Sequence, residues 1–241
     1  MNSILLFEHD LLNSHSDSVY RLQDKRAAHI TQHLKAKVGD EFTITLEGMG
    51  LTRARAIRIE NEQVDLEVYS DIQKVAPSPI HVMIGLSRPP TLKKIIEHGT
   101  TMGVGKFHFF KAALSDKSYL QSKVLKPELY EKLLNLGLSQ SRAYAHRPEV
   151  VIDPAFPQLQ YQQGFYLDQE SEISLCDAEI DFQKEVLFAF GPERGWTLGE
   201  KEKLKNNGLQ GLNLAPTTLR VEHALFALLG QYHLLKKISD L

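Results

Sequence analysis

The sequence predicts an α/β protein built from two parts. Residues 1–72 indicate a small β-barrel with one helix, because three short β-rich runs follow one another over residues 41–70. From residue 80 onwards, short apolar runs alternate with helical stretches, a pattern typical of a parallel sheet with helices on both faces. Between the parts, "QKVAPSPI" (73–80) carries two prolines and predicts a linker. The predicted domains are therefore 1–72 and 77–241.

In the first part, turns at Glu47–Gly50 and Glu60–Glu62 separate the β-rich runs. The segment "DKRAAHITQHLKAKVGD" (24–40) precedes them and predicts a helix that ends at Gly39. The positions that give this segment its helical spacing are Ile30, His33 and Leu34.

The second part begins with a buried strand at 80–86 and ends with a long, strongly apolar helix at 219–237. A helix that is apolar over more than one face needs burial on several sides, which indicates either a homodimer or a central helix of a monomer's core. A proline in its first turn opens the helix predicted at 127–141. Further strands are predicted at 106–110, 164–168, 185–190 and 209–215, and further helices at 91–103 and 197–208.

Length and composition exclude several classes of protein. The chain has 241 residues, 42% of them hydrophobic, which is enough for a sizeable core. No apolar run approaches the roughly 20 residues that span a bilayer, and the N-terminal stretch lacks the basic segment and cleavage site of a signal peptide. The single cysteine, Cys176, excludes an intrachain disulfide and a cysteine-based zinc cluster. These features predict a cytoplasmic protein with neither a membrane nor a metal partner.

Charge is unevenly distributed, although the net charge is only −2. Residues 84–149 carry eleven Lys and Arg against five Asp and Glu, whereas residues 150–185 carry one against eight. Such opposed fields indicate a face that binds a polyanion, or else ordinary solvated helix faces. The basic residues that we consider as candidates for RNA binding are Arg53, Arg55, Arg88, Lys93, Lys94, Arg142 and Arg147.

The first unusual loop reads "FGPERGWTLGE" (190–200) and follows a buried strand. Gly191 and Gly195 can adopt conformations closed to other residues and can let a ligand approach the backbone. Thr197 and Glu200 have the spacing of a capping box at a helix start. A strand-to-helix turn needs only one glycine and one cap, so the second glycine favours a ligand site at the carboxyl edge of the sheet.

The second unusual loop lies in "NLAPTTLRVEHALFALL" (213–229). Arg220 and Glu222 stand where the last helix begins, and they form either a surface pair or part of a site. The helix dipole disfavours a cation in a first turn, so an anionic partner explains Arg220 better.

Together, "GPERGW" and "LAPTTLRVEHA" resemble the bacterial 16S ribosomal RNA uridine-N3 methyltransferases of the SPOUT superfamily. The resemblance extends over the whole chain, because it also includes segments 33–57, 92–104 and 139–150. It implies a PUA-like, RNA-binding β-barrel over 1–72 and a SPOUT methyltransferase domain over 77–241, with a deep trefoil knot. It also implies a homodimer, S-adenosylmethionine as cofactor, and ribosomal RNA or the small ribosomal subunit as partner.

By position, the resemblance assigns ten residues to the cofactor: Leu167, Phe190, Gly191, Pro192, Glu193, Gly195, Leu214, Thr218, Leu219 and Arg220. The chain departs from the family pattern at Thr101, Arg194, Ala215, Thr217, Val221 and His223. These departures put the target nucleotide in question more than cofactor binding.

The catalytic candidates are Arg220 and Glu222. A uracil N3 must lose its proton or have the resulting charge stabilised, and Arg220 is suited to stabilising that charge or to holding a phosphate. Glu222 is suited to orienting Arg220 or to acting as base. Three alternatives stay open: a SPOUT methyltransferase with another RNA target, a non-catalytic RNA-binding relative, and an α/β enzyme acting on a small molecule.

Overall fold

The computed structural model describes residues 3–12, 18–60, 62–158 and 160–241. Its contacts divide the chain into two compact units. The first consists of Met1–Pro77 with Leu138–Arg147, and the second of Ser78–Gly137 with Pro148–Leu241. This division differs from the continuous second domain that the sequence predicts, because a short segment from the middle of the chain belongs to the first unit.

The first unit contains a six-stranded sheet. Its strands are β1 (Ile4–Leu6), β2 (Val19–Leu22), β3 (Glu41–Leu46), β4 (Gly50–Glu60), β5 (Gln63–Val68) and β6 (Gln73–Lys74). The order is β1-β3-β4-β5-β2, with β6 beside β4, and all pairs are antiparallel except β1 with β3. The three β-rich runs are thus confirmed as β3, β4 and β5. Residue 61, within the second predicted turn, lies outside the described residues.

The helix predicted over residues 24–40 is much shorter in the structure. It consists of α1 (Lys25–Ala28) and a π-helical turn, His29–His33. Lys35 then takes a left-handed conformation with φ of 51°, which ends the helical path. The predicted end at Gly39 is wrong: Gly39 lies in the turn before β3 and donates its N–H to the Ala56 carbonyl at 2.7 Å.

Backbone hydrogen bonds tie Leu138–Arg147 to the first unit. Ser3 N donates to the Ser139 carbonyl at 3.0 Å. Gly48 N donates to the Ala145 carbonyl at 2.9 Å. These partners lie far along the chain, so no local pattern signals the pairing.

The second unit contains a six-stranded parallel sheet. Its strands are β7 (Ile80–Gly85), β8 (Val104–Phe110), β9 (Glu149–Asp153), β10 (Gly164–Leu167), β11 (Val186–Phe190) and β12 (Gln210–Leu212). The order is β12-β10-β11-β7-β8-β9, and each neighbouring pair is parallel. The predicted parallel sheet is confirmed, and β9 is a strand that the sequence pattern missed.

The helices of this part of the chain are α2 (Pro89–Thr101), α3 (Pro127–Gln140), α4 (Leu198–Asn206) and α5 (Val221–Ser239). Side chains alternate between the two faces of a strand. On β11, Phe188 and Phe190 belong to the core that includes residues of α2 and α5, whereas Leu187 and Ala189 belong to the core that includes Leu204 of α4. Helices therefore cover both faces of the sheet, as predicted.

Across the described ranges, no helix combines the length and apolar character needed to cross a membrane. In the same ranges, no group of three or more His, Cys, Asp and Glu side chains is arranged to hold a metal ion.

Candidate functional site

A cavity opens at the carboxyl edge of the second unit's sheet, where β10, β11 and β12 end. These strands are neighbouring and parallel, so the chain leaves all three at the same edge. The cavity has a volume of about 480 Å³, and its walls come mainly from residues 167–170, 190–196 and 212–224. Ligands of open α/β sheets bind at this edge.

All ten residues that the resemblance assigns to the cofactor line this one cavity. Sequence reasoning missed other lining residues, among them Asp168, Glu170, Trp196 and Lys201. Asp168 gave a usable signal, because a carboxylate at the end of a predicted strand lies at the ligand-binding edge. Lys201 gave none, since nothing in the pattern of α4 shows which side of the helix meets the cavity.

Three of the six departures from the family pattern are at the cavity, and Thr101, Arg194 and His223 are not among its lining residues. Ala215, Thr217 and Val221 line the cavity. Thr101 lies at the end of α2, where its hydroxyl donates to the Gly137 carbonyl at 3.1 Å.

The turn after β11 is close-packed, and this packing explains its first glycine. A Cβ atom at Gly191 would lie 3.1 Å from the carbonyl carbon of Gly195 and 3.3 Å from the Trp196 ring. Gly195 has φ of +73°, where an L side chain is strained. Pro192 approaches so closely that a Cβ at Gly85 would lie 2.7 Å from its ring. The turn's own geometry therefore favours glycine at both positions, and the glycine pair alone does not argue for a ligand.

The predicted capping box at the start of α4 is confirmed. Thr197 Oγ1 accepts a hydrogen bond from Glu200 N at 3.3 Å, and the Glu200 carboxylate accepts from Thr197 N at 2.9 Å. Glu200 is buried, and its other carboxylate oxygen accepts from Ala113 N at 2.8 Å. One side chain thus fixes the helix start and joins it to the loop after β8.

Two further contacts fix the turn between β11 and α4. Trp196 Nε1 donates to the Leu167 carbonyl at 3.0 Å, and the indole stacks on Phe110 with ring centroids 6.1 Å apart. The Glu193 carboxylate accepts from Arg88 N at 2.8 Å. The cavity wall is therefore attached to β10, β8 and the loop after β7.

A polar wall faces these apolar groups. Lys201 Nζ lies 2.9 Å from Oδ1 and 2.8 Å from Oδ2 of Asp168, and 2.7 Å from the Glu170 carboxylate. Asp168 and Lys201 are largely buried, with side-chain exposures of 14% and 17%, whereas Glu170 is 83% exposed. Burial lowers the pKa of Lys201, but the hydrogen bonds and charges of its two carboxylate partners outweigh it, so that pKa is raised.

The chain after β12 lies between two parts of a single connection. Asp168 N donates to the Leu212 carbonyl at 2.8 Å, and Asn213 N donates to the Ile173 carbonyl at 2.8 Å. Ser174 also forms a parallel bridge with Asn213. Residues 212–213 are therefore held on both sides by residues 168–174.

The two catalytic candidates lie in different surroundings. Arg220 is exposed, occupies the N-cap position of α5 and lines the cavity. Glu222 is buried and pairs with Lys94 Nζ at 3.5 Å. Residues two apart on a helix do not face each other, so proximity in sequence does not bring this carboxylate to Arg220.

The basic candidates differ in how far their charges are already paired. In the first unit, Arg53 and Arg55 both contact Glu41, at 3.1 and 3.5 Å, and Arg147 lies 3.8 Å from Glu47.

In the second unit, Lys94 contacts Glu222, as described above. Three candidates are exposed and form no ion pair with any described residue: Arg88 and Lys93 in this unit, and Arg142 in the first unit. These three side chains are the most readily available for an external anion.

Fold and site together define an α/β protein with a ligand-sized cavity at the carboxyl edge of its parallel sheet. The model of the RNA methyltransferase domain matches residues 74–233, which is most of the sequence, and the chain belongs to that family.

Two curated relatives extend the similarity beyond the domain. Ribosomal RNA small subunit methyltransferase E 1 of Borreliella burgdorferi is 29% identical over 86% of this chain and 88% of its own. Ribosomal RNA small subunit methyltransferase E of Treponema pallidum is 26% identical over 93% of this chain and 88% of its own.

Solved structures share the fold. The crystal structure of a ribosomal RNA small subunit methyltransferase E from Neisseria gonorrhoeae, bound to S-adenosyl methionine, matches with a TM-score of 0.73 at 15% identity. The match covers 97% of this chain and 98% of that one.

Proposed function

We propose that the chain is an S-adenosylmethionine-dependent methyltransferase that modifies N3 of a uridine in the 16S RNA of the small ribosomal subunit, in the cytoplasm. One observation carries the proposal: a chain of the RNA methyltransferase domain family brings all ten residues assigned to the cofactor into one cavity. The names of the two curated relatives support ribosomal RNA as substrate. The cofactor named for the Neisseria structure supports S-adenosylmethionine.

The residues of the cavity fit this cofactor. Its volume of about 480 Å³ lies within the roughly 300–1,000 Å³ of small-molecule sites. Leu167, Phe190 and Leu214 provide apolar surface for an adenine ring, and Asp168, Lys201 and Thr218 add polar groups for the rest of the cofactor. When bound, the cofactor supplies an electrophilic methyl group on a sulfonium sulfur.

The protein's own part is positioning and charge stabilisation. Holding donor and acceptor at near-attack distance supplies up to roughly 10 kcal/mol of a displacement barrier. Arg220, exposed at the rim of the cavity, stabilises the negative charge that develops on the uracil or holds an adjacent phosphate. Glu222 serves this function indirectly, because its ion pair with Lys94 joins the first turn of α5 to α2 and so fixes the position of Arg220.

The finer features of the fold belong to the same proposal. The deep trefoil knot is supported by the bracketing of residues 212–213 between two parts of the connection 168–174. The PUA-like, RNA-binding barrel is supported by the six-stranded sheet of the first unit. The homodimer is supported by α5, where Leu234 and Ile238 stay 58% and 56% exposed on an otherwise well-packed helix.

The decisive experiment is mass spectrometry of ribosomal RNA from a deletion strain and its complemented control. We expect one N3-methyluridine to disappear from the 16S RNA and to return on complementation. Loss of a methyl group from another nucleotide would establish a different RNA target, and an unchanged methylation pattern would contradict the proposal.

Measurements on the purified protein separate the remaining alternatives. Methyl transfer from S-adenosylmethionine to small subunits, and not to free RNA, is expected if assembled shape selects the target. Cofactor binding without transfer to any RNA would indicate a non-catalytic relative. Cofactor binding without RNA binding would indicate a small-molecule enzyme.

A further inference from the structure

The polar wall of the cavity contains a carboxylate with spare acceptor capacity. Oδ1 of Asp168 accepts from Lys201 Nζ at 2.9 Å and from Glu170 N at 3.2 Å. Oδ2 lies 2.8 Å from the same Lys201 nitrogen. An ionised carboxylate has about four lone-pair sites, so Oδ2 retains one for a ligand in the cavity.

We propose that Asp168 recognises the ribose hydroxyls of the cofactor's adenosine, and that Lys201 is the positioning residue that holds its carboxylate. This inference rests on the proposed function, since it concerns the same cofactor.

The charge of Lys201 affects which polar group of the cofactor can bind at Asp168. Its ammonium lies within 3 Å of both Asp168 oxygens, and the pairing keeps it charged, because its pKa is raised. Lys201 offsets the charge of Asp168, and the charge of Glu170 is screened by solvent because that side chain is 83% exposed. A second cation at Asp168, whether the sulfonium or the methionine ammonium, therefore gains little attraction and meets repulsion from Lys201. The neutral hydroxyls of the ribose donate to Oδ2 without that cost, which favours the sugar at this wall.

The carboxylate is also fixed before any ligand arrives. Asp168 N donates to the Leu212 carbonyl at 2.8 Å, so its backbone is held by β12. Lys201 lies in the first turns of α4, and the Thr197–Glu200 capping box defines the start of that helix. Groups held in this way lose little freedom on binding, so a hydrogen bond to them contributes more to affinity.

The test measures binding by calorimetric titration, with two probes and three proteins. The probes are S-adenosylmethionine and its 2′,3′-dideoxy analogue, which lacks both ribose hydroxyls. The proteins are the wild type, Asp168→Asn and Glu172→Gln. Glu172→Gln is the matched control, because it neutralises an exposed carboxylate of the same connection that does not line the cavity.

Hydrogen bonds to a charged group correspond to about tenfold to hundredfold in affinity. We expect the wild type to prefer S-adenosylmethionine over the dideoxy analogue by about that factor. Asp168→Asn should lose most of this preference by binding S-adenosylmethionine more weakly while binding the analogue about as well as the wild type does. Glu172→Gln should keep the wild-type preference.

Two results would overturn the inference while leaving the proposed function intact: a wild type that binds both probes equally, or an Asp168→Asn protein that keeps the full preference. A wild type that binds neither probe would overturn the proposed cofactor and this inference with it. Because Asp168→Asn also weakens a buried ion pair, Lys201→Met provides a second variant that should reduce the same preference. Both variants are checked for the wild-type circular dichroism spectrum before titration.

Discussion

Replacing Glu200 by alanine should both destabilise the second unit and weaken cofactor binding. The Glu200 carboxylate accepts from Ala113 N at 2.8 Å, and from Thr197 N and Thr197 Oγ1 at 2.9 Å each. Loss of a capping interaction costs about 1 kcal/mol, and loss of a hydrogen bond to a charged group costs about 1.5–3 kcal/mol. Because Ala113 is exposed and its N–H can turn to water, we expect a total near the lower end, about 2–3 kcal/mol.

The assay is thermal and urea unfolding of wild type, Glu200→Ala and a control, Glu202→Ala. Glu202 lies in the same helix but is exposed, so its replacement should change stability by less than about 0.5 kcal/mol. For a unit of this size the expected loss corresponds to a fall in melting temperature of about 4–12 °C. Titration with S-adenosylmethionine should show weaker binding for Glu200→Ala alone, because the turn before α4 lines the cavity. If the two variants were equally stable, the structural role assigned to Glu200 would be wrong.

Three further predictions address RNA binding, pH dependence and the glycine turn. The affinity for RNA should fall with rising salt, and joint replacement of Lys93 and Arg142 by alanine should make this fall less steep. The slope of log affinity against log salt should become less negative by roughly 0.7–0.9 for each phosphate that the variant no longer neutralises. An unchanged slope in filter binding would show that these side chains do not touch phosphate. Burial lowers the pKa of His81 below its ordinary value of 6.5, against the opposing charge of Glu185. The unfolded chain therefore binds a proton at His81 more readily than the folded chain does. The contribution of neutral His81 to stability is complete above pH 6.5 and is lost as the pH falls from 6.5 towards the folded pKa. Urea unfolding between about pH 5 and about pH 8 should show a weaker pH dependence for His81→Gln than for wild type. Gly195→Ala should cost about 1–2 kcal/mol, because φ is +73° there. Gly199→Ala, at an open position within α4, should stabilise by about 0.5–1 kcal/mol, and equal effects of the two substitutions would contradict the assigned backbone conformations.

Local sequence patterns predict the features of the fold that depend on neighbouring residues. The parallel sheet follows from apolar runs separated by helices, and the capping box follows from the spacing of Thr197 and Glu200. The sequence could not show that residues 138–147 pair with the first unit, because the partners at Ser3 and Gly48 lie far away along the chain. It also could not end the helix of the first unit correctly, since Gly39 is a plausible stop signal while the actual reversal occurs at Lys35, a residue type that rarely takes positive φ.

The candidate site shows the same difference between what the sequence predicts and what it misses. The resemblance assigns ten residues that line the cavity, nine in the two loops and Leu167 at the end of β10. They meet because neighbouring parallel strands bring their carboxyl ends to one edge. Side-chain direction is beyond the reach of such patterns, so they miss Lys201 and suggest that Glu222 lies beside Arg220. In the structure the first turn of α5 directs Glu222 into the interior, where it contacts Lys94.

This arrangement bears on the proposed transfer of a methyl group to a uracil. Among the described residues, three carboxylates line the cavity, and each already has a partner: Asp168 and Glu170 share Lys201, and Glu193 accepts from Arg88 N. Arg220, by contrast, lines the cavity and forms no ion pair with any described residue. In the proposed reaction, Arg220 is therefore available to stabilise the negative charge that develops on the uracil.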